Sequence, residues 1–476
     1  MAAALLLLAA VSLRAQVTTS SMSGRIYDQD GPVEGATVVA VNSSTGMQYS
    51  VTTGRSGFFN LLNVQPGGPY VVRVIHFSYD PVTVRGVWTY VGENTAIDAD
   101  LDEGTSYVRT DGAASRTRIS GNAEGLPGGV SPAGRRLPDM LGYMPQKLDV
   151  DAIPLWMEAI GQISATAVPF DVRESADISS ASVLAVAPSG GKSFSMSAFD
   201  FYTMEQLPCS GGGNLAGYAF GTPVGEGDFQ IFNSAVYESG GPDERSSFSA
   251  LARADWRIDG SNSLDATVAK LGGGFWGSAD LISGVGDGFG SNSARINALN
   301  LGGVSTFSVM DDFTIASGPN RFTAGAGFLH YGASDTSSNS GVVYIQDEIS
   351  LSRKFKVQAG LRFGLPLEFS PRFSFNYDFS GNGRAVLRGG TAIYGWTTRP
   401  SVWKNLIALD FGLPASFKLS IEGIYGQQWA KLLVMSSRNV LDSYYAFTAR
   451  LERPMTDNLY ALAAYTRASK YCQDRA

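Results

Sequence analysis

The sequence predicts an all-β protein in two unlike parts: a small β-sandwich near the amino terminus, then a long antiparallel array suited to crossing a bilayer as a barrel. Three observations predict this. Short apolar runs separated by Gly, Pro, Asn and Asp punctuate residues 20–102, at the spacing of a sandwich. From Ser193 onward apolar and polar residues alternate with period two in longer segments. After residue 15 no run of about 18 apolar residues exists, so a helical span is excluded while a strand-built one is not.

At 476 residues, with 56 glycines and 11% aromatics, the chain is long enough for a small domain plus a large β structure, and its composition is not that of a disordered protein. A net charge of −7 without a basic stripe argues against nucleic acid as a partner. Ala2 to Val11 is an unbroken apolar run, and Leu13 and Ala15 suit cleavage before Gln16, so residues 1–15 are expected to be an export signal. No basic residue precedes the run, which raises the expectation that the natural start lies upstream. Cys209 and Cys472 are too isolated for a disulfide framework or a metal cluster.

Seven strands are expected in the sandwich: Ser23–Tyr27, Ala36–Val41, Gln48–Thr52, Gly57–Leu62, Tyr70–Ile75, Pro81–Val87 and Thr95–Leu101. The turns between them carry recognisable chemistry, among them Asp30-Gly31-Pro32, Thr45-Gly46 and Arg55-Ser56-Gly57. Gly24-Arg25-Ile26, Pro32–Val38, Thr52–Phe59 and Val64–Tyr70, in that order, resemble a carboxypeptidase-regulatory-like domain, a sandwich of transthyretin or Ig-like type. The resemblance implies that Phe59 is a core aromatic and that Gly57 permits the turn before it. It implies no peptidase: His76 and His330 are the only histidines, and neither is followed by Glu three residues on, so no catalytic zinc set is present. No enzyme, cofactor or metal site is expected.

Residues 103–134, rich in Gly, Ser, Ala and Arg, read as a linker. Gly134–Leu141 and Met144-Pro145-Gln146 follow, and then Ile163–Lys192, with apolar runs at Ile163–Phe170 and Ala181–Ala187 around the turn Asp171–Ser175. With Pro169-Phe170-Asp171-Val172-Arg173 as the most specific block, these stretches resemble the plug of TonB-dependent outer-membrane receptors of the Oar-like group, which carry the same sandwich in front. Asp149–Ile153 arrives soon after Gln146, so the plug, residues 135–192, is expected to be shortened. The resemblance implies that Arg135, Arg136, Asp171, Arg173 and Glu174 are polar plug residues facing the barrel wall; ordinary solvation of turns and loops is the competing reading for each. It also implies a TonB box near residues 103–115, a strand handed to the periplasmic energiser by β-augmentation. Tyr107-Val108-Arg109-Thr110 is the candidate, with plain linker as its alternative.

The array of residues 193–476 alternates clearly in Phe355–Phe363, Arg372–Phe379, Phe417–Glu422 and Tyr445–Glu452. A large soluble sandwich or propeller alternates too. Segments of about ten residues, aromatics near strand ends and the export signal favour the membrane. Tyr344, Tyr394, Trp396, Trp403, Tyr444 and Tyr460 are expected to form interface girdles. Asp259–Asn262, Ser380–Gly383 and Pro454–Asp457 are expected as tight periplasmic turns, and Gly277–Ser293 and Gly332–Ser340 as long extracellular loops. Gly286-Asp287-Gly288-Phe289-Gly290 is read as loop, because no amphipathic helix follows it to make a nucleotide site. The Oar-like resemblance continues through Arg253–Ile258, Tyr344–Glu348, Ala359–Phe363, Ser370–Phe373 and Ile421–Tyr425. Roughly 14–16 strand candidates fall short of the 22 of a plugged transporter barrel, and Lys470–Ala476 is not expected to form a closing strand, so the barrel is expected to be incomplete. The partners implied are outer-membrane lipid, a TonB-type energiser and an unidentified extracellular ligand, at the outer membrane of a Gram-negative bacterium. The alternative is a non-transporting barrel used for adhesion or envelope assembly.

Overall fold

The computed structural model describes residues 19–111, 116–120, 159, 161–166, 170–173, 182–203, 213–225, 228–240, 246–258, 262–271, 274–285, 290–301, 304–333, 336–352, 354–365, 368–381, 383–395, 401–414, 417–429, 440–456 and 459–472. The export signal, Arg135, Arg136 and Glu174 lie outside them.

The sandwich contains all seven expected strands: β1 (Ser20–Tyr27), β2 (Thr37–Asn42), β3 (Gln48–Thr52), β4 (Phe58–Val64), β5 (Gly67–His76), β6 (Tyr79–Thr89) and β7 (Asn94–Asp100). An eighth, β8 (Thr105–Asp111), was expected as linker; it pairs antiparallel with β7. Two four-stranded sheets result, ordered β4-β1-β7-β8 and β3-β2-β5-β6. Alternation sends Val38, Ala40, Tyr70, Val72 and Val74 inward, and Phe59 is 2% exposed in the same core. Arg73 and Arg85 stay on the wet face. Gly57 has φ +69°, and a Cβ there would stand 2.3 Å from the Ile26 carbonyl oxygen. The turn before Phe59 therefore requires glycine. Asn42 caps the β2–β3 turn, its Oδ1 accepting from the backbone N–H groups of Ser44 (2.9 Å) and Thr45 (3.1 Å).

A second stretch expected as linker forms β9 (Arg116–Ser120). It pairs with β10 (Gln162–Thr166), which pairs with β11 (Ser182–Val186), making a three-stranded antiparallel sheet. The two apolar runs of Ile163–Lys192 are thus hydrogen-bonded neighbours.

The remainder is one antiparallel meander of 17 strands, one or more beyond the expected number. They are β12 (Ser195–Thr203), β13 (Gly213–Val224), β14 (Phe229–Gly240), β15 (Ser247–Arg257), β16 (Asn262–Leu271), β17 (Gly274–Val285), β18 (Gly290–Leu301), β19 (Val304–Ser317) and β20 (Asn320–Ala333). Then follow β21 (Thr336–Ser350), β22 (Phe355–Gly364), β23 (Glu368–Asp378), β24 (Ala385–Tyr394), β25 (Ser401–Gly412), β26 (Lys418–Trp429), β27 (Val440–Thr456) and β28 (Leu459–Cys472). Among the described residues, β12 and β28 each pair with a single neighbour. Lys470-Tyr471-Cys472, expected outside any spanning strand, completes β28.

Three further expectations are corrected. Gly277–Ser293 lies mostly in β17 and β18, with residues 286–289 between them. Its Gly and Ser suggest a loop, but they occupy ladder positions, and the Phe275 ring covers Gly277, where a Cβ would sit 3.1 Å from Cζ. Gly332–Ser340 is likewise mostly β20 and β21. Pro454-Met455-Thr456 ends β27 instead of forming a turn. The turn at Ser380–Gly383 is present and is organised by Asp378, whose carboxylate accepts from the N–H groups of Ser380 (3.1 Å), Gly381 (2.9 Å) and Gly383 (2.7 Å).

Candidate functional site

The meander is inside-out. On β22, Leu361 and Phe363 are exposed while Arg362 between them is 7% exposed. On β26, Ile421 is exposed and Glu422 buried; on β27, Tyr445, Phe447 and Leu451 are exposed, and Ala446 and Thr448 buried. An apolar face turned outward and a charged face turned inward suit a wall between lipid and a polar interior, and would aggregate in water. Trp403, Tyr425 and Tyr445 form an outward aromatic row across β25–β27, with ring centroids 6.3 and 5.0 Å apart. Of the expected girdle residues, Tyr344, Tyr394 and Tyr444 instead point inward and are buried. Each sits one residue out of phase with the outward set: Val343 and Ile345, the neighbours of Tyr344, are the exposed ones. Trp396 and the Tyr460 side chain lie outside the described residues.

The inner face carries two ionic clusters. On β15–β19, Arg253 bonds Asp255 at 2.6 Å and stands 3.9 Å from Asp265, while Arg295 stands 3.9 Å from Asp280 and pairs with Asp312. On β24–β26, Arg388 holds Asp410 at 2.9 Å and Glu422 at 3.3 Å, with Lys418 on Asp410 at 3.3 Å. Pairing offsets much of the cost of burying these charges.

Between these clusters sits the Phe170–Arg173 block. Phe170 is buried against Ala392, Tyr394 and Leu406, and Gly390 leaves the room: a Cβ there would lie 2.8 Å from the Phe170 ring. Val172 is buried against Met310, Val342 and Tyr344, and Gly360 makes the same concession, with a Cβ 2.4 Å from Val172 Cγ1. The block's backbone is held by side chains of three successive strands. Gln346 Oε1 accepts from the Val172 N–H (3.0 Å), and Gln358 Nε2 donates to the Phe170 carbonyl (3.2 Å). Arg362 Nη1 donates to the Val172 carbonyl (2.9 Å), and Arg372 Nη1 to that of Asp171. Asp171 turns its carboxylate to Arg173, whose Nε and Nη2 donate to it at 3.0 and 2.6 Å. Four backbone groups of the block are thus bonded to side chains of the wall, and the block takes no part in the sheet ladder.

The end of β11 has a second seat. Ala187 packs with Phe232, Leu251 and Ala269, and its carbonyl accepts from Arg253 Nη1 at 2.5 Å.

Of the residues singled out in the sequence, Asp171 and Arg173 lie in the Phe170–Arg173 block, paired with each other. Tyr107–Thr110 lies within β8, hydrogen-bonded to β7. Gln346, Gln358, Arg362 and Arg372 were not named as site residues, although each fills a polar position of the period-two pattern. Among the described residues no cluster of three His, Cys, Asp or Glu is arranged to hold a metal, and no helix is long and apolar enough to cross a membrane, which says nothing of strands.

Residues 21–102 match the family model of the carboxypeptidase regulatory-like domain. No curated protein matches the chain. Among solved structures the chain is similar to the siderophore receptor PirA from Pseudomonas aeruginosa, at 12% identity and TM-score 0.49, over 66% of this chain and 72% of that one. It is similar to a mutant of the ferric enterobactin receptor PfeA from Pseudomonas aeruginosa, at 9% identity and TM-score 0.49, over 63% and 65%. It is also similar to the alcaligin outer-membrane receptor FauA from Bordetella pertussis, at 11% identity and TM-score 0.47, over 66% and 68%. The match spans less than two thirds of the enterobactin receptor's own length.

Proposed function

We propose that the protein is an outer-membrane receptor-transporter of the TonB-dependent type, taking up a scarce ligand through a plugged β-barrel. The observation that carries this reading is the Phe170–Arg173 block, gripped inside an inside-out sheet by Gln346, Gln358, Arg362 and Arg372. A stopper held by side chains, with none of its backbone in the wall's ladder, has the property that a pulled plug needs. The ligand would meet the end of the meander at which β12 and β26 finish. A TonB-type energiser would act from the other end, and Arg135, Arg136 and Glu174 would complete the polar surface of the plug.

The test is energised uptake, with the protein expressed beside its genomic neighbours in an outer membrane. Ligand accumulation that disappears when the energiser is deleted supports transport; accumulation indifferent to the energiser, or none with any ligand of the host's habitat, rejects it. Arg362→Gln with Arg372→Gln should raise passive conductance through the barrel, since both guanidinium groups hold the stopper. The second reading, a non-transporting barrel for adhesion or envelope assembly, is favoured by one observation. The TonB-box candidate Tyr107–Thr110 already spends backbone hydrogen bonds on β7, and β-augmentation needs a strand with bonds to offer.

A further inference from the structure

The sandwich does not hang free of the barrel; it is tied across one end of it at separate points. Arg321, at the start of β20, donates from Nη1 to Ser21 Oγ (2.6 Å) and Asn94 Oδ1 (3.2 Å) of the sandwich, while its Nη2 pairs with Glu348 of β21. Gln230, fully buried on β14, donates to the Thr45 carbonyl at 2.8 Å and accepts from Ser189 Oγ at 2.6 Å. Arg257, the last residue of β15, lies 5.0 Å over the Tyr49 ring, and the Lys192 N–H donates to the Ser44 carbonyl at 3.3 Å.

These anchors share one end of the meander, the end at which β13, β15 and β19 finish and β14, β16 and β20 begin. On the sandwich, Ser21, Asn94 and the Ser44-Thr45 turn belong to the edge facing the barrel. A polar cavity of about 100 Å³ remains between, bounded by Asn94 and Glu93 of the sandwich, Asp171 of the plug block, and Ser291, Gln346 and Gln358 of the wall. The sandwich therefore stands directly below the block, in series with it.

We infer that the regulatory-like sandwich is a second closure of this barrel, a stopper latched across the near mouth, with Arg321 as its principal latch. The inference rests on the barrel reading of the meander. The latch has the chemistry of a releasable bond: one guanidinium shared between neutral acceptors on the sandwich and a carboxylate on the wall. When it lets go of Ser21 and Asn94, Arg321 keeps Glu348, so no charge is left unpaired at the rim. Full opening then needs two events, departure of the sandwich and release of Phe170–Arg173, and loosening the block alone gives only a partial leak past the latched sandwich.

The test is thiol accessibility in the full-length chain, on a Cys209→Ser, Cys472→Ser background, in outer-membrane vesicles open to reagent at the sandwich end. Ser291→Cys places the reporter in the cavity wall, and a bulky water-soluble maleimide is the probe. Arg321→Ala should raise the labelling rate about tenfold, equivalent to about 1.4 kcal/mol of latch, and Ser21→Ala with Asn94→Ala should do the same from the sandwich side. If Arg321→Ala disturbs barrel folding, the sandwich pair still reads the latch, because it leaves the wall untouched. Labelling as fast in the parent as in the sandwich pair overturns the inference. Uptake is not the readout, so a failure of transport and a failure of the closure are told apart.

Discussion

The sandwich and the meander use the same period-two pattern in opposite senses. In β5 the alternate residues Tyr70, Val72 and Val74 are buried and Arg73 is exposed; in β22 the exposed residues are Leu361 and Phe363, and Arg362 is buried. A strand's alternation says that its two faces meet different surroundings and leaves open which face is wet. The surroundings decide: the sandwich hides its apolar face in its own core, and the meander turns its apolar face outward, to lipid on the barrel reading proposed above, keeping its charges inside. On that reading one chain folds by the hydrophobic effect in one half and by satisfying polar groups away from lipid in the other.

That contrast can be attacked from both sides. The largest effects belong to the two interiors. Phe59→Ala should cost about 3–5 kcal/mol by emptying the sandwich core, seen as loss of the sandwich's melting transition while the barrel keeps its heat-modifiable mobility on gels. Arg388→Ala should cost a similar amount, about 3–5 kcal/mol, in the barrel, because Asp410 and Glu422 would be left buried without their shared cation. Urea unfolding in lipid vesicles, with the sandwich's melting unchanged, would show it. The lipid face comes next: Phe363→Lys should destabilise the barrel by about 2–4 kcal/mol if Phe363 stands near mid-bilayer, whereas a leucine in place of the exposed Arg73 should change the sandwich by within about 0.5 kcal/mol.

The smallest effect concerns the contact between the two parts. Desolvation pushes the Tyr49 hydroxyl up to about 12. Its folded value lies above the ordinary 10, so its contribution is complete below pH 10 and is lost as the pH rises through about 12. Phenolate absorbance of wild type minus Tyr49→Phe should titrate late in that window, and a tyrosine titrating near 10 would contradict a desolvated hydroxyl at this position.

Much of this was legible before any coordinates. The seven sandwich strands and the alternation of β22, β23, β26 and β27 follow from spacing, since period two and turn chemistry are local properties, while the core place of Phe59 is implied by the resemblance to the regulatory-like domain. The Phe170–Arg173 block was legible by resemblance, but its four holders were not, because a polar inward residue of a barrel looks like any polar residue until another segment lies against it. Tyr344 is out of place for a related reason: in Val342-Val343-Tyr344-Ile345 every residue is apolar, and the phase is set by Gln346 farther along β21 and by Arg362 opposite Tyr344 on β22. β8 is not legible because residues 103–134, rich in Gly, Ser, Ala and Arg, read as a linker, and its pairing comes from β7, already ordered by its parallel contact with β1.

The most direct measurement of the central claim is a tryptophan scan along β22 in vesicles containing brominated lipid. Tryptophan placed in turn at Ala359, Leu361 and Phe363 should be quenched by the lipid, and tryptophan at Gly364, on the opposite face of the strand, should not. Quenching at Gly364, or equal quenching at all four positions, would contradict an apolar face turned to the bilayer and an inner face turned to the plug.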